Sequence, residues 1–368
     1  MSAPKLDPST DVVELTRQLV DIESVSRNEQ QIADAVEEVL RGHEHLEVIR
    51  RGHTIVARTN QGHAERVVIA GHLDTVPLND NLPARLVDGL LWGLGSCDMK
   101  GGVAVALKLA VELPTPNRDV TWVFYEAEEI EARFNGLNLL TQSDPHLLAA
   151  DFAILMEPSN AGVEAGCQGT MRVEVRTAGE RAHSARSWMG HNAIHDAGEI
   201  LARLNAHQPR QVEIDTLTYR EGLNAVFISG GVAGNVIPDE CVVTVNYRFA
   251  PDRTEADAEA FLREFFTGYD VRITDSAPGA LPGLAIPAAA AFVERVDGPV
   301  NPKFGWTDVA RFSALDIPAV NFGPGDPILA HKQDEHVPVE QIIRCEQVLR
   351  SWLSESTPSG RSEGEELS

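Results

Sequence analysis

The sequence predicts an α/β protein that carries a smaller α+β module within its chain. Short apolar runs alternate with runs of helical periodicity in the first part of the chain, and this order changes in the middle. The chain has 368 residues, of which 43% are hydrophobic and 23% are charged. This length and composition suffice for two or three globular domains that need no disulfide bonds.

The N-terminal segments are predicted to be two helices, and strands that alternate with helices follow them. Asp11 and Glu14 have the spacing of a capping box, Val12 and Leu19 belong to an apolar stripe of helical spacing, and a second amphipathic run follows at residues 30–40. Strand-like runs cover residues 66–70, 120–125, 151–156 and 318–322, and a helix-like run covers residues 102–112. This alternation indicates a sheet that helices cover on both faces.

The middle of the chain predicts a βαββαβ module. Its strands and helices are expected at residues 171–177, 192–206, 224–229, 241–249, 254–266 and 270–274. A Pro- and Gly-rich stretch at residues 277–283 marks the return to the larger domain. We therefore predict a domain built from residues 1–169 and 281–356, an insert at residues 170–280, and a disordered polar tail at residues 357–368.

Charge and cysteine content restrict the class of protein. The chain has 31 Lys and Arg against 55 Asp and Glu, a net charge of −24, which repels nucleic-acid phosphates and anionic lipids. It has no run of about 18 apolar residues and no secretory signal at its N-terminus. Four dispersed cysteines form no C-x-x-C pair and are predicted to be reduced and mostly buried: Cys97, Cys167, Cys241 and Cys345. These features predict a cytoplasmic enzyme that binds neither nucleic acid nor membranes.

Acidic residues and histidines recur where the predicted strands end. Such residues follow four of the strands, and one more lies in the glycine-rich turn at residues 93–102; the set is His72, Asp74, Asp98, Glu128, Glu129, Glu157 and His331. Each has an ordinary explanation when taken alone, since an aspartate in a turn often caps a helix and a Glu-Glu pair often lies on a solvated helix face. Ligands of open α/β sheets bind beyond the carboxyl ends of the strands, so we expect these side chains to converge.

Convergence of so many carboxylates is costly unless positive charge lies among them. Two histidines with three or four carboxylates suit a pair of zinc ions, and one carboxylate can bridge such ions. Two metal ions polarise a carbonyl group and acidify water, and a remaining carboxylate can then accept the proton of that water. The pattern therefore predicts a hydrolytic two-metal centre.

Several of these stretches together resemble the co-catalytic zinc aminoacylase/carboxypeptidase family. They are AGHLDTVP at residues 70–77, GSCDMKG at 95–101, the pair Glu128-Glu129, MEPS at 156–159, and the late His331. The similarity extends from about residue 12 to residue 353. It implies a zinc-peptidase-like catalytic domain with a mixed central sheet and an inserted ferredoxin-like domain that serves dimerisation and acts as a lid.

The resemblance also implies a role for each metal-site residue. His72 and Glu157 would hold one zinc ion and Glu129 and His331 the other, with Asp98 bridging them. Glu128 would act as general base and then protonate the departing amine, and Asp74 would orient the His72 ring. The Asp98-Met99 peptide is expected to be cis. His331 is preferred over His336 because Glu335 follows it by four residues. The implied cofactor is two Zn²⁺ per subunit, which Co²⁺ can replace.

Residues of the insert are expected to contact the substrate. The resemblance implies that His183 crosses a homodimer interface and stabilises the oxyanion, although an exposed loop histidine is the alternative. Arg248 is a candidate clamp for a substrate carboxylate, with Arg186 and Arg311 as weaker candidates. Asn235 either binds the substrate or holds the turn that precedes Ile237-Pro238.

Within the family, three stretches favour the actinobacterial members that cleave N-succinyl-LL-2,6-diaminopimelate, an anionic small molecule. The stretches are residues 181–190, 235–239 and 246–249. Acetylornithine deacetylases, N-acyl-amino-acid amidohydrolases and dipeptidases remain alternatives. The chain departs from many relatives at Ile130-Glu131, at Gln168 and at Trp306-Thr307-Asp308, none of which is a predicted metal ligand. These departures concern the pocket for the acyl group.

Two functions of other classes, a dinucleotide-dependent oxidoreductase and a metal-binding scaffold, fit the sequence less well than a hydrolase. The sequence Gly93-Leu94-Gly95 resembles part of a dinucleotide fingerprint, but Asp98 occupies the position where that fingerprint needs Gly or Ala and would repel pyrophosphate. A non-catalytic metal-binding scaffold would be indicated by loss of the base, whereas Glu128 is present together with every predicted ligand. The hydrolase is the prediction that the residues support best.

Overall fold

The computed structural model describes residues 5–354, so the predicted tail at residues 357–368 lies outside the described range. The chain divides into two compact units. The first unit comprises Met1–Val163, Ile286–Val300 and Leu315–Ser368, and the second comprises Glu164–Ala285 and Asn301–Ala314. The predicted insert, residues 170–280, falls within the second unit. Residues 164–169, 281–285 and 301–314 also belong to that unit, although the sequence predicts them in the larger domain.

A mixed sheet forms the centre of the first unit. Its main strands are β1 (Glu47–Arg51), β2 (Thr54–Arg58), β3 (Arg66–His72), β6 (Asp119–Tyr125), β7 (Phe152–Leu155) and β16 (Ala319–Asn321). They lie in the order β1-β2-β6-β3-β7-β16, with β6, β3, β7 and β16 parallel and with β1 and β2 antiparallel to their neighbours. Strands β6 and β7 are buried along their whole length, as in sheets that are covered on both faces. The predicted mixed α/β sheet is confirmed.

Helices and a small antiparallel sheet complete the first unit. The helices are α1 (Val12–Val20), α2 (Gln30–Arg41), α3 (Lys100–Glu112), α4 (Gly136–Ser143), α7 (Pro287–Val296) and α9 (Val339–Ser354). The Asp11 carboxylate accepts hydrogen bonds from the amides of Val13 and Glu14, which confirms the predicted start of α1. The small sheet has the order β17-β5-β4, with β4 (Arg85–Val87), β5 (Leu90–Trp92) and β17 (His336–Pro338). Single 3₁₀ turns lie at Pro145–Leu147 and Pro327–Leu329.

The second unit contains a four-stranded antiparallel sheet with two helices. Its elements are β9 (Gly169–Ala178), α5 (Ala193–Ala206), β12 (Gly222–Gly230), β13 (Glu240–Phe249), α6 (Glu255–Phe265) and β14 (Asp270–Ala277), and the strand order is β12-β13-β9-β14. This order with this connectivity is the ferredoxin-like arrangement, so the predicted βαββαβ module is confirmed. Alternate residues of β9 and β13 form its core with α5 and α6.

Several elements were not predicted, including β1, β2, β4, β5, β17, α4, α7 and α9 of the first unit. A hairpin of β10 (Gln211–Ile214) and β11 (Leu217–Arg220), a 3₁₀ segment at Ser184–Met189 and α8 (Val309–Ser313) belong to the second unit. Short strands β8 (Val163–Ala165) and β15 (Val300–Pro302) lie where the chain passes between the units. Strands of three or four residues contain too few positions to show a period of two, which is why the sequence did not reveal them.

All four cysteines are buried and none forms a disulfide, as predicted. Among the described residues, no helix combines the length and the apolar character that a membrane span requires.

Candidate metal centre

Two groups of potential metal ligands share one aspartate. His72, Asp98 and Glu157 form the first group, and Asp98, Glu129 and His331 form the second. Within each group the ligand atoms lie within 4.8 Å of one another. The structure therefore brings together the five residues that the sequence predicted as ligands, although they are spread over 260 positions from His72 to His331.

Parallel strand pairing explains this convergence. His72 is the last residue of β3 and lies opposite Tyr125, the last residue of β6, so both strands end at the same edge of the sheet. Glu129 follows β6 by four residues, and Glu157 follows the end of β7, which pairs with the other side of β3. The segments that follow β3, β6 and β7 therefore meet at the carboxyl edge of the sheet, which is the general location of ligand sites in α/β proteins.

Asp98 lies between the two histidines. Its Oδ1 is 3.1 Å from His72 Nε2, and its Oδ2 is 3.4 Å from His331 Nε2. His331 Nε2 is also 3.0 Å from the Glu129 carboxylate. One oxygen of Asp98 thus faces each group, which is the placement that a bridging carboxylate requires.

The electrostatics of the cluster favour added positive charge. Hydrogen bonds with Asp98 and Glu129 raise the pKa of His331 to about 10. Burial opposes ionisation of Asp98, but hydrogen bonds with His331 and His72 hold the pKa of Asp98 below its usual range. Burial raises the pKa of Glu129. Acidic groups this crowded and this buried are stabilised by cations, so the donor set fits a pair of divalent metal ions.

The side chain of Asp74 holds the backbone amides of Glu128 and Glu129. The fully buried carboxylate of Asp74 accepts hydrogen bonds from the amides of Glu128, at 2.9 Å, and Glu129, at 3.1 Å, and from Ser26 Oγ at 2.7 Å. His72 Nδ1 lies 3.0 Å from the backbone oxygen of Asp74 and 3.6 Å from its carboxylate. Asp74 therefore contacts the His72 ring chiefly through its carbonyl group, while its carboxylate orients the loop that carries Glu128.

Glu335 supports Asp98 in the same manner. Its Oε1 accepts hydrogen bonds from the amides of Cys97, at 2.9 Å, and Asp98, at 3.1 Å, and its side chain is buried. Burial raises the pKa of Glu335 to about 7. The sequence marked Glu335 only by its spacing from His331. The Asp98-Met99 peptide between these residues and α3 is cis, as expected.

Glu29 is a buried residue of the site that the sequence analysis missed. Its Oε1 accepts hydrogen bonds from the amides of Arg27, at 2.7 Å, and Ala127, at 3.2 Å. Ala127 has a φ of 58°, a left-handed conformation immediately before Glu128. In the sequence, Glu29 is an ordinary acidic residue before an amphipathic helix, so no local signal distinguishes it.

His336 lies outside both ligand groups. Its Nδ1 is 2.7 Å from the Asp334 carbonyl oxygen, and its ring lies 4.2 Å from the Trp92 ring, between centroids. The geometry thus agrees with the choice of His331.

The predicted substrate residues lie in the second unit. His183 is exposed, and its Nδ1 accepts a hydrogen bond from the Ala185 amide at 3.0 Å. The backbone carbonyl oxygen of Asn235 accepts a hydrogen bond from the Ser184 amide, so the backbone of Asn235 lies beside His183 and holds its turn. Arg186 is exposed in the same 3₁₀ segment.

Arg248 and Arg311 differ in how they are engaged. Arg311 pairs with the buried Asp308 and lies over the Trp306 ring at 5.1 Å, so its guanidinium group already has an acidic partner. Arg248 is half-buried on β13, and burial followed by the charge of Arg172 lowers the pKa of Arg248. Of these two arginines, Arg248 is the more available to an anion.

Comparison with known proteins agrees with the fold and the site. The family model of peptidase family M20/M25/M40 matches residues 68–355. A putative succinyl-diaminopimelate desuccinylase, DapE, of Mycobacterium tuberculosis is 54% identical over 351 residues, which cover 95% of this chain and 99% of that protein. A succinyl-diaminopimelate desuccinylase of Corynebacterium glutamicum is 47% identical over 363 residues, which cover 96% and 98% of the two chains.

Solved structures share the fold at low identity. A tripeptidase of Staphylococcus aureus superposes with a TM-score of 0.77 at 20% identity, covering 95% of this chain and 98% of the other. The YxeP protein of Bacillus subtilis, described as a dinuclear metal binding peptidase, gives a TM-score of 0.69 at 17% identity, covering 93% and 96%. With the metal-ligand groups in place at the end of the sheet, the chain belongs to peptidase family M20/M25/M40 and is a metal-dependent amidohydrolase.

Proposed function

We propose that this enzyme hydrolyses N-succinyl-LL-2,6-diaminopimelate to succinate and LL-2,6-diaminopimelate, a step toward lysine and the cell-wall precursor, in the cytoplasm. The observation that carries the proposal is identity of 54% and 47%, over nearly the full length, to proteins described as succinyl-diaminopimelate desuccinylases. The two ligand groups that share Asp98 supply the centre that amide hydrolysis requires.

The proposed cofactor is a pair of zinc ions. His72, Asp98 and Glu157 would hold one ion, and Asp98, Glu129 and His331 the other, because imidazole and carboxylate are common zinc ligands. Three protein ligands per ion leave positions for water or substrate. Co²⁺ is the substitute to test. When bound, such ions supply Lewis acidity toward the amide carbonyl and toward water.

Glu128 is the proposed general base. Its backbone is held by the Asp74 carboxylate, and its side chain is half-buried beside Glu129. A carboxylate placed this way accepts a proton from the attacking water and delivers it to the departing amine nitrogen. Because the Asp74 carboxylate accepts hydrogen bonds from the amides of this loop, a single orientation of Glu128 is favoured.

His183 is the proposed donor to the oxyanion. Because Nδ1 accepts a hydrogen bond from the Ala185 amide, the neutral ring carries its proton on Nε2, which leaves an outward N–H donor. We propose that this donor reaches the site of a second subunit in a homodimer, with Asn235 supporting its turn. Arg248 is the proposed carboxylate clamp and Arg186 an accessory one, whereas Arg311 is engaged by Asp308.

The second unit offers a surface for the proposed homodimer. Strand β12 is an edge strand, and its central residues Val226, Phe227 and Ile228 are exposed by 45%, 72% and 52%. An unpaired apolar edge of this kind is rarely left open to water. We propose that it contacts a second copy and that the second unit serves dimerisation and acts as a lid.

A substrate panel on enzyme reconstituted with zinc tests the proposal. N-succinyl-LL-2,6-diaminopimelate should be hydrolysed with a higher kcat/KM than acetylornithine, acyl amino acids or dipeptides. Removal of metal by a chelator should abolish turnover, and added zinc should restore it.

Acetylornithine deacetylase is the second candidate function, because such an enzyme of Myxococcus xanthus is 31% identical over 305 residues. Rapid turnover of acetylornithine without turnover of the succinylated substrate would establish that function instead.

A further inference from the structure

The sheet of the second unit has an apolar face and a polar face. Alternate side chains of β9 and β13 form the apolar core with α5 and α6. Residues between them point to the opposite face, among them Thr170 and Arg172 on β9 and Asn246 and Arg248 on β13. Polar side chains therefore line the face that these helices do not cover.

Arg172 and Arg248 are diagonal neighbours on this polar face. In the antiparallel register, Thr170 lies opposite Arg248 and Asn246 lies opposite Arg172. Side chains in such diagonal positions lie roughly 7–8 Å apart at their bases, within reach of two long side chains. The side-chain amide of Asn246 donates a hydrogen bond through Nδ2 to Thr170 Oγ1 at 3.2 Å, so the two polar side chains opposite the arginines contact each other.

These two guanidinium groups have few acceptors. Arg172 Nη1 lies 3.9 Å from the Asp275 carboxylate, and both side chains are about half exposed. Within residues 5–354, the guanidinium group of Arg248 has no hydrogen-bond or ion-pair partner, although the residue is half-buried. Each guanidinium group offers five N–H donors, and leaving them unpaired away from water is unfavourable.

Arg176, on the same face of β9, shows the usual alternative. Its Nη2 lies 2.9 Å from the Glu174 carboxylate, and its Nη1 lies 3.5 Å from Glu240. Glu174 and Glu240 thus lie at one end of this face, whereas at the other end Arg172 and Arg248 have Asp275 as their nearby acid, which leaves a net positive charge there. In a protein of net charge −24, such a local excess of positive charge is suited to an anion.

We infer that Arg172 and Arg248 together form a carboxylate-binding site, and that Arg172 adds selectivity for substrates that carry a carboxylate beyond the one beside the scissile amide. Arg248 can bind a carboxylate through two N–H groups, and Arg172 supplies a second positive charge. An anion between the two also relieves their mutual repulsion. The inference rests on the proposed function for the nature of the substrate. The extra carboxylate is either that of the succinyl group or the distal one of diaminopimelate.

Steady-state kinetics of Arg172→Gln tests this inference. Three substrates distinguish the two possible sources of the bound carboxylate. They are N-succinyl-LL-2,6-diaminopimelate, its N-acetyl analogue, which lacks the acyl carboxylate, and N-succinyl-L-lysine, which lacks the distal carboxylate. For the first substrate we expect KM to rise about tenfold or more while kcat changes less than about twofold. The rise in KM caused by Arg172→Gln should disappear with the analogue that lacks the bound carboxylate. Arg172→Lys, which keeps a positive charge, should recover part of the affinity for the first substrate.

Arg176→Gln is the matched control, because it removes an arginine from the same strand and face that already has acidic partners. The inference is overturned if Arg172→Gln leaves KM unchanged, if it raises KM equally for all three substrates, or if Arg176→Gln has the same effect.

Calorimetry with succinate separates this inference from the proposed function. If the wild-type enzyme does not hydrolyse the succinylated substrate, the proposed function fails, and succinate binding still tests the anion site. Arg172→Gln should then weaken binding of succinate or of LL-2,6-diaminopimelate, whichever supplies the bound carboxylate, about tenfold without weakening binding of acetate. Equal binding of both succinate and LL-2,6-diaminopimelate by the two proteins would refute the site.

Discussion

At the scale of single residues, Glu128 and its neighbour Glu129 show how adjacent identical side chains are placed differently. Glu129 faces His331 at 3.0 Å and belongs to a ligand group, whereas Glu128 belongs to neither group. The Asp74 carboxylate accepts the amides of both, so the loop presents them in a defined way. The separate roles proposed for them therefore rest on backbone geometry and not on residue type.

Replacement of Glu128 tests its role as base. Glu128→Gln keeps the size of the side chain but cannot accept the proton, so we expect kcat to fall by about 10²- to 10⁴-fold. Metal content, measured by atomic absorption, should stay at two per chain. Glu131→Gln, at an exposed neighbouring position, is the control and should retain activity. Activity of Glu128→Gln near the wild-type level would remove Glu128 from this role.

Glu335 allows a prediction about indirect support of the metal ligands. One oxygen, Oε1, accepts both the Cys97 and the Asp98 amides. Glu335→Gln retains an oxygen there and should bind zinc nearly as the wild type does, whereas Glu335→Ala should bind zinc about 10- to 100-fold more weakly. Titration with a competing chelator measures both affinities. Equal affinities for the Ala variant and the wild type would contradict this role.

At the scale of elements, the close contact of helix α3 with the loop after β7 positions the two ends of one ligand group. A Cβ atom at Gly102 would lie 2.3 Å from the Met156 carbonyl oxygen, next to Glu157. The absence of a side chain at Gly102 thus allows α3, which follows Asp98, to approach the segment that carries Glu157. This contact fixes the distance between the segments that carry Asp98 and Glu157, which neither segment determines alone.

Substitution of this glycine should be destabilising. Gly102→Ala must push α3 away from Met156, and we expect a loss of about 1–3 kcal/mol in the free energy of unfolding. Gly198→Ala in α5 is the matched control, because a Cβ atom there meets nothing within 4 Å. That control should gain roughly 0.5–1 kcal/mol from helix propensity. Denaturant titrations compare the two, and an unchanged stability of Gly102→Ala would show that α3 can shift freely.

At the scale of the whole molecule, the edge strand β12 predicts the oligomeric state. Phe227 is 72% exposed at the centre of this strand, and a charge there would be buried in the proposed interface. Phe227→Lys should therefore sediment as a monomer where the wild type sediments as a dimer. Leu139→Lys, on α4 of the first unit, replaces another exposed apolar residue and should leave the dimer intact. A wild type that sediments only as a monomer would refute the homodimer.

The sequence by itself determined the class of fold and indicated that the acids and histidines at the strand ends converge. Period-two and helical patterns located α1 to α3, four strands of the central sheet and the six elements of the βαββαβ module within a few residues, and alternation of strands with helices implied that the strand ends meet. The acids and histidines therefore could be assigned to one centre before any distance was known. Elements that lacked a pattern, such as the three-residue strands, could not be located.

Only the tertiary structure decided which groups support the centre. Glu29 and Glu335 look like ordinary acids in the sequence. Yet Glu29 accepts a hydrogen bond from the Ala127 amide, 98 positions away, and Glu335 accepts one from the Asp98 amide, 237 positions away. The Asp74 carboxylate likewise holds amides 54 and 55 positions away. Backbone amides carry no sequence signature, because every residue except proline has one. Which amide a buried carboxylate meets is decided only by how the chain folds back on itself.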